Sequence, residues 1–337
     1  MVENNSTKEI RKQLQHNLVH IRFGTNNKPE LKPAFVERYQ ELLGEDYDKF
    51  VEYTYSYLNR GIRVNTLKIS VSDLKKRLEK KGWILEQIPW MENAFWVEHI
   101  EGRRDLGNAD EHQLGYFYIQ EAASMIPPLA LDPKEGELVL DTCASPGSKT
   151  TQIAQMMNGK GLVVANDLTG MRLAPLGSNV QRMGLTNIIQ VQNDFLKFPE
   201  DKQFDKILLD APCSGSGTIR KSIKTIKMWN PKTLISISNI QKRMIRKAWK
   251  ILKPGGTLVY STCSTDPEED ECIVSDFINE VSDAEIVDFE LPGFKRANAV
   301  LEWDSKKLNE EVKKTLRVWP QDNDTEGFYV AKIKKKN

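Results

Sequence analysis

The sequence predicts an α/β protein in which a doubly wound, mostly parallel sheet follows a smaller α+β module. Two observations support this. Beyond residue 116, short apolar runs alternate with helical stretches, which is typical of a parallel sheet buried on both faces. Before that point, two helical stretches precede several short strands. The length of 337 residues is sufficient for two domains of ordinary size.

The first 115 residues divide into an arm and a module. Residues 1–30 show little hydrophobic periodicity, and we expect them to form a flexible arm. Residues 31–115 are expected to form an α+β module that binds RNA. Its predicted elements are a helix from Pro33 to Gly44, a helix at 46–58, a strand at 62–66, a helix capped by Ser72 that ends at Gly82, and strands at 83–88 and 95–97.

Residues 116–337 are predicted to form the larger, catalytic domain. The predicted strands are at 138–140, 162–165, 188–191, 207–209 and 257–260. The predicted helices are at 149–157, 171–183, 233–252 and 268–281. Because ligands of doubly wound sheets bind outside the carboxyl ends of the strands, the loops after these strands are expected to carry the site.

The charge of the chain is polarised along its length. The 48 Lys and Arg residues against 47 Asp and Glu residues give a net charge of +1, which at first sight argues against a nucleic-acid binder. However, residues 211–265 hold eleven basic residues and no acid, and residues 266–290 hold eleven acids and no basic residue. The basic segment could bind RNA phosphates, or its helical part could be only a solvated helix face.

Cysteine usage and hydropathy exclude several classes of protein. The four cysteines, at 143, 213, 263 and 272, are too few for a disulfide framework, and no C-x-x-C pair indicates a metal site. No apolar run approaches the length of a membrane span, and the N-terminus lacks the apolar core of a signal peptide. We therefore expect a cytoplasmic monomer without a metal or a membrane partner.

Polar residues follow the first three strands of the predicted sheet. The loop at 141–149 matches neither G-x-G-x-x-G nor G-x-x-x-x-G-K-[ST], which disfavours a dinucleotide or a nucleoside triphosphate. Asp167 follows the second strand, where an acid can bind ribose hydroxyls, and Asp194 follows the third. Taken singly, each acid could be a helix cap or a turn residue. Three such loops in register indicate S-adenosylmethionine, which has an amino-acid end, a ribose and an adenine.

Two cysteines follow the fourth and fifth strands. Cys213 lies in Asp210-Ala-Pro-Cys-Ser-Gly-Ser-Gly, and Cys263 lies in Ser261-Thr-Cys-Ser. Either could by itself be a buried structural thiol. As a pair at neighbouring strand ends, they indicate covalent catalysis on a carbon that is not nucleophilic, such as C5 of a pyrimidine. A thiolate added to C6 makes C5 enamine-like, and Asp210 could assist by hydrogen bonding the cytosine edge.

These two motifs, together with shorter ones, resemble a known family. The shorter motifs are I-R-V-N-T-L-K at 62–68, Y-I-Q-E-A-A-S at 118–124, D-T-C-A-S-P-G-S-K at 141–149, P-E-E-D-E at 267–271 and G-F at 327–328. Over residues 62–334 the chain resembles RNA (cytosine-5)-methyltransferases of the RsmB/NSUN (Nop/Sun) family, in particular an archaeal-type, tRNA-directed member.

The resemblance implies a Rossmann-like S-adenosylmethionine-dependent methyltransferase fold that methylates C5 of cytosine in tRNA, or alternatively in ribosomal RNA. It implies that Cys263 attacks C6, that Cys213 assists product release, and that Asp210 and Lys149 lie beside the base. The cofactor residues that it implies are Cys143, Ala144, Ser145, Pro146, Gly147, Ser148, Lys149, Asp167, Arg172, Asp194 and Asp210. Cys143 and Cys272 receive no catalytic role.

Some features leave alternatives open. Gln321 and Tyr329 stand where relatives carry His and Phe, which affects the expected rim of the pocket. A small-molecule methyltransferase or a non-catalytic RNA-binding assembly factor on the same fold are the competing functions. Trp229 could stack on a base or pack in the core. The residues expected to bind RNA are Arg63, Arg220, Lys221, Arg243, Arg246 and Lys247.

Overall fold

The computed structural model describes residues 29–337, so the expected arm at 1–30 lies almost wholly outside the described residues. A four-stranded antiparallel sheet comes first, with the strand order β2-β3-β1-β4. Its strands are β1 (Arg60–Val64), β2 (Trp83–Gln87), β3 (Ala94–His99) and β4 (Phe117–Ile119). The helices of this half are α1 (Pro33–Leu43), α2 (Tyr47–Tyr55), α3 (Val71–Glu79) and α4 (Asp110–Gln113).

Two details of the N-terminal half differ from the sequence prediction. Strand β4 was assigned to the larger domain, but it pairs with β1, so the small sheet extends to Ile119 and past the expected boundary at 115. Helix α3 begins two residues earlier than expected because Ser70, not Ser72, is its cap: the Ser70 hydroxyl accepts a hydrogen bond from the Asp73 N–H at 3.1 Å.

The larger sheet follows, and its parallel part has the strand order β9-β8-β5-β6-β7. The strands of this half are β5 (Leu138–Asp141), β6 (Leu162–Asp167), β7 (Ile188–Gln192), β8 (Phe204–Asp210), β9 (Leu252–Thr262), β10 (Ala284–Ile286), β11 (Glu302–Trp303), β12 (Lys306–Lys307), β13 (Leu316–Val318) and β14 (Phe328–Lys335). The helices are α5 (Ile126–Leu131), α6 (Ser148–Met156), α7 (Gly170–Met183), α8 (Lys224–Met228), α9 (Pro231–Lys250), α10 (Glu271–Glu280) and α11 (Pro320–Asn323).

The predicted fold class is confirmed. Consecutive residues of the central strand β5 are buried on opposite faces of the sheet: Val139 packs in one apolar cluster and Leu140 in another. The sequence prediction missed the antiparallel edge, where β14 pairs with β9, and β10 and β13 pair with β14. Among residues 29–337, no helix combines the length and the apolar character needed to cross a bilayer.

Helices α1 and α2 pack on the larger domain. One buried aromatic cluster contains Phe35 and Tyr39 of α1, Phe50 of α2, and the distant residues Trp229 and Trp319. Trp229 is only 3% exposed, so it packs in the protein interior and does not stack on a base. Helices α1 and α2 of the expected module at 31–115 are therefore anchored on side chains of the larger domain.

A single arginine joins the small sheet to helix α6. Arg63 of β1 is completely buried, and its guanidinium donates hydrogen bonds to Gln120, to Thr151 at 2.8 Å and to Gln155. The sequence prediction that Arg63 contacts RNA is wrong, because every face of this side chain is enclosed by protein. Its charge is dispersed over neutral acceptors from two segments of the chain, Gln120 after β4 and helix α6.

We expect Arg63→Ala to lower the free energy of unfolding by about 3 kcal/mol, because it leaves the acceptors on Gln120 and Gln155 buried without a donor. Urea unfolding followed by circular dichroism measures this change. Arg77→Ala is the matched control, since Arg77 is exposed on α3, and its cost should stay below about 1 kcal/mol. Equal, small losses in both variants would contradict the role of Arg63.

Candidate active site

Cys213 and Cys263 lie side by side at the carboxyl edge of the larger sheet. Strands β8 and β9 are parallel neighbours whose register pairs Asp210 with Ser261, so their two loops leave the sheet together. The N–H of Ala211 donates to the carbonyl of Ser261 at 2.8 Å and continues this pairing past the strand. The two sulfur atoms are 3.1 Å apart. The structure thus brings together the two thiols that the sequence singled out.

A buried carboxylate holds the loop of Cys213. Glu269 accepts a hydrogen bond from the Ser214 N–H at 2.9 Å and another from the Ser214 hydroxyl. The amide of Gln241, on α9, donates to the carbonyl of Pro212 at 2.9 Å and to Glu269 at 3.2 Å. The backbone on both sides of Cys213 is therefore fixed by groups that follow the second cysteine or belong to the neighbouring helix.

Two glycines bring three loops into backbone contact. The N–H of Gly217 donates to the carbonyl of Cys263, and the N–H of Gly327 donates to the carbonyl of Gly217, both at 2.9 Å. A Cβ atom on Gly217 would lie 2.1 Å from the carbonyl oxygen of Gly327, which no side chain can tolerate. This contact gives the terminal G-F motif a structural role, and it brings the ring of Phe328 within 5.3 Å of the Lys149 ammonium.

The front of the acidic segment is buried beneath these loops. Asp266, Glu269, Asp270 and Glu271 have no exposed surface. Arg317 forms ion pairs with Asp270 and Glu271, and it also donates to the carbonyl of Thr265 at 2.8 Å. These acids are therefore internal supports of the thiol loops.

Helix α1 reaches the same acidic segment from the N-terminal half. Arg38 forms ion pairs with Asp266 at 3.3 Å and with Glu268 at 2.8 Å. Burial raises the pKa of Asp266 to about 6, while the Arg38 charge opposes that rise. The hydroxyl of Tyr39 lies 2.7 Å from that of Thr265. The loop after Cys263 is thus clamped by residues more than two hundred positions away.

Lys149 and Asp210 form an ion pair beside the thiols. Their N–O distance is 2.7 Å, and the hydroxyl of Ser261 donates to the other carboxylate oxygen of Asp210 at 2.7 Å. Burial alone would lower the pKa of the Lys149 ammonium, but the Asp210 carboxylate outweighs it and raises that pKa. Lys149 therefore carries a positive charge at neutral pH, close to the cysteines.

The four thiols differ in their surroundings. The hydrogen bond with Cys263 and burial together raise the pKa of Cys213 well above its usual value, so Cys213 is protonated at neutral pH. Burial raises the pKa of both Cys143 and Cys272 to about 12. A thiol with such a pKa is a poor nucleophile, which agrees with the absence of a catalytic role for these two.

A cleft of about 540 Å³ opens beside the thiol pair. Of the residues expected to bind the cofactor, Cys143, Ser145, Asp167, Arg172, Asp194 and Asp210 line it. Ala144, Pro146, Gly147, Ser148 and Lys149 do not line it. Gly147 instead adopts a φ of +102° before α6, where a Cβ atom would lie 2.7 Å from the Leu176 side chain. This part of the loop shapes the turn and does not contact the cleft.

Asp167 is the best-anchored acid of the cleft. One of its carboxylate oxygens accepts hydrogen bonds from the Leu168 N–H at 2.8 Å and from Arg172 at 2.6 Å, and the other accepts one from the Ser145 N–H at 2.9 Å. The Asp167 side chain is 3% exposed, whereas that of Arg172 is 55% exposed and forms the outer layer. Asp194 lines the cleft while capping a short turn through the Leu196 N–H.

Sequence reasoning missed the rest of the cleft wall. Asn166 is buried and donates to the carbonyls of Thr142 and Asn193, while no group within residues 29–337 donates to its own side-chain oxygen. Ile240 and Met244 supply an apolar wall from α9. Asn166 stood next to a predicted acid and could have been included. The two apolar residues gave no signal, because in sequence they look like the core face of an amphipathic helix.

Several predicted RNA contacts and rim residues are corrected. Arg220, 2% exposed, donates to the carbonyls of Tyr57 and Thr325 and pairs with Asp324, and Lys247 is buried against Glu200 at 3.0 Å. The terminal nitrogens of both side chains are therefore engaged by protein groups and do not form the predicted surface contacts with RNA phosphates.

Arg246 forms an ion pair with Glu280 at 2.7 Å, so much of the basic segment is neutralised by acids of the fold. Lys221 and Arg243 are exposed. Tyr329 is fully buried between strands, and Gln321 is 6% exposed; neither lines the cleft. Among residues 29–337, no cluster of His, Cys, Asp or Glu is arranged to hold a metal ion.

Comparisons with known proteins agree with this geometry. Residues 128–334 match the family 16S rRNA methyltransferase RsmB/F, and residues 31–122 match the N-terminal domain of 16S rRNA methyltransferase RsmF. The chain is 44% identical over 308 residues to the tRNA (cytosine(49)-C(5))-methyltransferase of Pyrococcus abyssi, covering 91% of this chain and 97% of that protein. It is also 44% identical to the ribosomal RNA small subunit methyltransferase F of Vibrio parahaemolyticus, covering 90% of this chain but only 63% of that protein.

Solved structures share the whole fold. A methyltransferase homologue from Pyrococcus horikoshii superimposes with a TM-score of 0.81 at 37% identity, covering 96% of this chain and 99% of that one. The structure of NSun6 from Pyrococcus horikoshii with SFG, 24% identical, has a TM-score of 0.80 over 91% of this chain and 98% of that one. The two family matches together span most of the chain, and the RsmB/F match includes both cysteine motifs. The chain therefore belongs to the RsmB/F (Nop/Sun) family and is an RNA cytosine-C5 methyltransferase.

Proposed function

We propose that the protein transfers a methyl group from S-adenosylmethionine to C5 of a cytosine in tRNA through a covalent adduct between Cys263 and C6. The observation that carries this proposal is the pair of thiols, 3.1 Å apart, at the wall of a cleft. C5 of cytosine is not nucleophilic until a nucleophile has added to C6, so a thiolate at the site answers a specific chemical need.

The residues of the site have distinct roles in this proposal. The Cys263 thiolate adds to C6, and the Lys149 ammonium, paired with Asp210, lies beside the base. Asp210, held by Lys149 and Ser261, faces the cleft and hydrogen bonds the polar edge of the base. After methylation, a solvent water takes the C5 proton while the bond from Cys263 to C6 breaks, which restores the C5–C6 double bond and the Cys263 thiolate. Cys213 assists this release from its position against the Cys263 sulfur.

The cleft has the groups that S-adenosylmethionine requires. Asp167 offers a carboxylate for ribose hydroxyls, and Asp194 lies where the adenine end would bind. The buried side-chain oxygen of Asn166 receives no hydrogen bond from the part of the chain that the structure describes, and Ile240 and Met244 provide an apolar surface. The bound cofactor supplies a methyl group made electrophilic by its sulfonium, next to the thiols. These features support the cofactor assignment.

A tRNA substrate is supported by sequence similarity. The chain is 44% identical to the tRNA (cytosine(49)-C(5))-methyltransferase of Pyrococcus abyssi, and the alignment covers 97% of that protein. Ribosomal RNA is the second candidate, favoured by the match of residues 31–122 to the N-terminal domain of RsmF. Exposed cations for phosphate contacts remain on the loop and helices after Cys213. They are Lys221, Lys224, Lys227, Lys232 and Arg243.

Bisulfite sequencing separates the two substrates. We expect purified protein with S-adenosylmethionine to protect a cytosine of unmodified tRNA from conversion, and to leave deproteinised small-subunit ribosomal RNA unprotected. The Cys263→Ala protein is the control for adventitious protection. Protection confined to the ribosomal RNA would replace tRNA by the second candidate.

The two active-site cysteines should give opposite defects. Cys263→Ala should abolish methyl transfer, because no thiolate adds to C6, whereas Cys213→Ala should accumulate a protein–RNA adduct that survives denaturing electrophoresis. Radiolabelled methyl transfer and gel shift measure the two effects. Cys272→Ala is the matched control, since its thiol is buried elsewhere and should be dispensable. A fully active Cys263→Ala protein would remove the nucleophile assignment.

Asp167→Ala should weaken S-adenosylmethionine binding by about 10- to 100-fold, because it removes a charged hydrogen-bond acceptor for the ribose. Isothermal titration calorimetry measures the dissociation constant directly. Asp201→Ala, which removes an acid that is 70% exposed, should leave the affinity unchanged. Unaltered affinity in Asp167→Ala would show that the ribose binds elsewhere.

A further inference from the structure

A second cavity, separate from the methyl-transfer cleft, lies between the two halves of the chain. It has a volume of about 610 Å³, within the range of about 300–1,000 Å³ that is usual for small-ligand sites. Its walls come from the segment before and into β1, the loop after β3, the end of β4 and the loop that follows Cys213. The lining residues are Tyr57, Leu58, Asn59, Arg60, Gly61, Arg104, Ile119, Gln120, Glu121, Arg220 and Lys221.

The cavity combines a positive rim with a flat surface for stacking. Arg60, Arg104 and Lys221 supply three cationic side chains, and Glu121 is the one acidic lining residue. The carboxylate of Glu121 is occupied by the N–H groups of Ser124 and Glu326, both at 3.1 Å. The guanidinium of Arg104 lies 3.9 Å from the centre of the Tyr57 ring, so cation and aromatic ring form one layered surface.

The wall of the cavity also holds a donor without an acceptor. Arg220, 2% exposed, uses both terminal nitrogens on the protein, but its Nε–H has no acceptor among the described residues. An apolar residue faces the cavity as well, since Ile119 is 36% exposed there. Phosphate-binding cations, a stacking surface and an exposed apolar side chain are the features with which proteins bind unpaired nucleotides.

Short backbone contacts link this cavity to the chemistry. The Glu121 carboxylate accepts from the N–H of Glu326, Gly327 follows and donates to Gly217, and Gly217 donates to the carbonyl of Cys263. Lys221 lies eight residues after Cys213 on the same loop region. The wall of the cavity is therefore joined to the loops that carry the two thiols.

We propose that this cavity is a second nucleotide site, which takes an unpaired nucleotide of the same RNA near the target cytosine. The base lies against Tyr57, Arg104 and Ile119, and its phosphate lies against Arg60 and Lys221. The inference rests on the proposed function for the identity of the RNA. It assigns to the junction of the two halves a part in choosing which cytosine is presented.

Two substitutions test the cavity against matched controls. Lys221→Glu should raise the dissociation constant for tRNA about 10-fold or more and lower the slope of its salt dependence. The control is Lys202→Glu, which makes the same charge change just before the first residue of β8, at the end of that strand away from Cys213. It should have a smaller effect on the dissociation constant. Ile119→Glu should weaken binding similarly, and Leu114→Glu, 50% exposed outside the cavity, should not.

Fluorescence anisotropy of labelled tRNA, without S-adenosylmethionine, measures these constants independently of methyl transfer. Photocrosslinking of tRNA carrying 4-thiouridine, followed by mass spectrometry, should recover peptides containing Tyr57 or Ile119. The second site would be overturned if each variant had the same dissociation constant for tRNA as its control and no crosslink to these peptides were found. If the variants weaken tRNA binding as expected but the unsubstituted protein methylates no tRNA, the proposed function is wrong and the second nucleotide site stands.

Discussion

The structure depends on burying a run of carboxylates beneath the catalytic loops. Charged groups removed from water must be paired or hydrogen-bonded, and Asp266, Glu269, Asp270 and Glu271 find partners in widely separated parts of the chain. Arg317 and Gln241 approach from the sheet and from α9. The partners on the other side are Arg38 and the Ser214 loop itself. Satisfying these acids and positioning the two thiols are therefore one structural problem.

The parallel sheet and the site loops could be predicted from sequence because both are local patterns. An apolar strand followed by a short polar turn specifies the edge at which ligands bind, and parallel pairing then brings Cys213 and Cys263 together. The strand β14 could not be placed in this way, because its antiparallel register depends on β9, far from it in sequence.

The fate of charged residues was the least predictable feature. Arg63 and Arg220 look like surface cations in sequence, but each is enclosed because acceptors such as Gln155 and Asp324 are supplied by distant segments. Likewise, the basic segment was expected to offer its cations to RNA phosphates, whereas Lys242 pairs with Asp276 of the acidic segment at 2.9 Å between adjacent helices. Burial of charge is decided by tertiary partners, and a single sequence does not carry that information.

The aromatic cluster of α1 and α2 has a consequence for how the protein unfolds. Phe35, Tyr39 and Phe50 cover Trp229 and Trp319, and Arg38 neutralises Asp266 and Glu268. Detaching these helices would expose two tryptophans and would also remove the arginine that is paired with two carboxylates. We therefore expect the catalytic half to melt together with these two helices, in one cooperative transition.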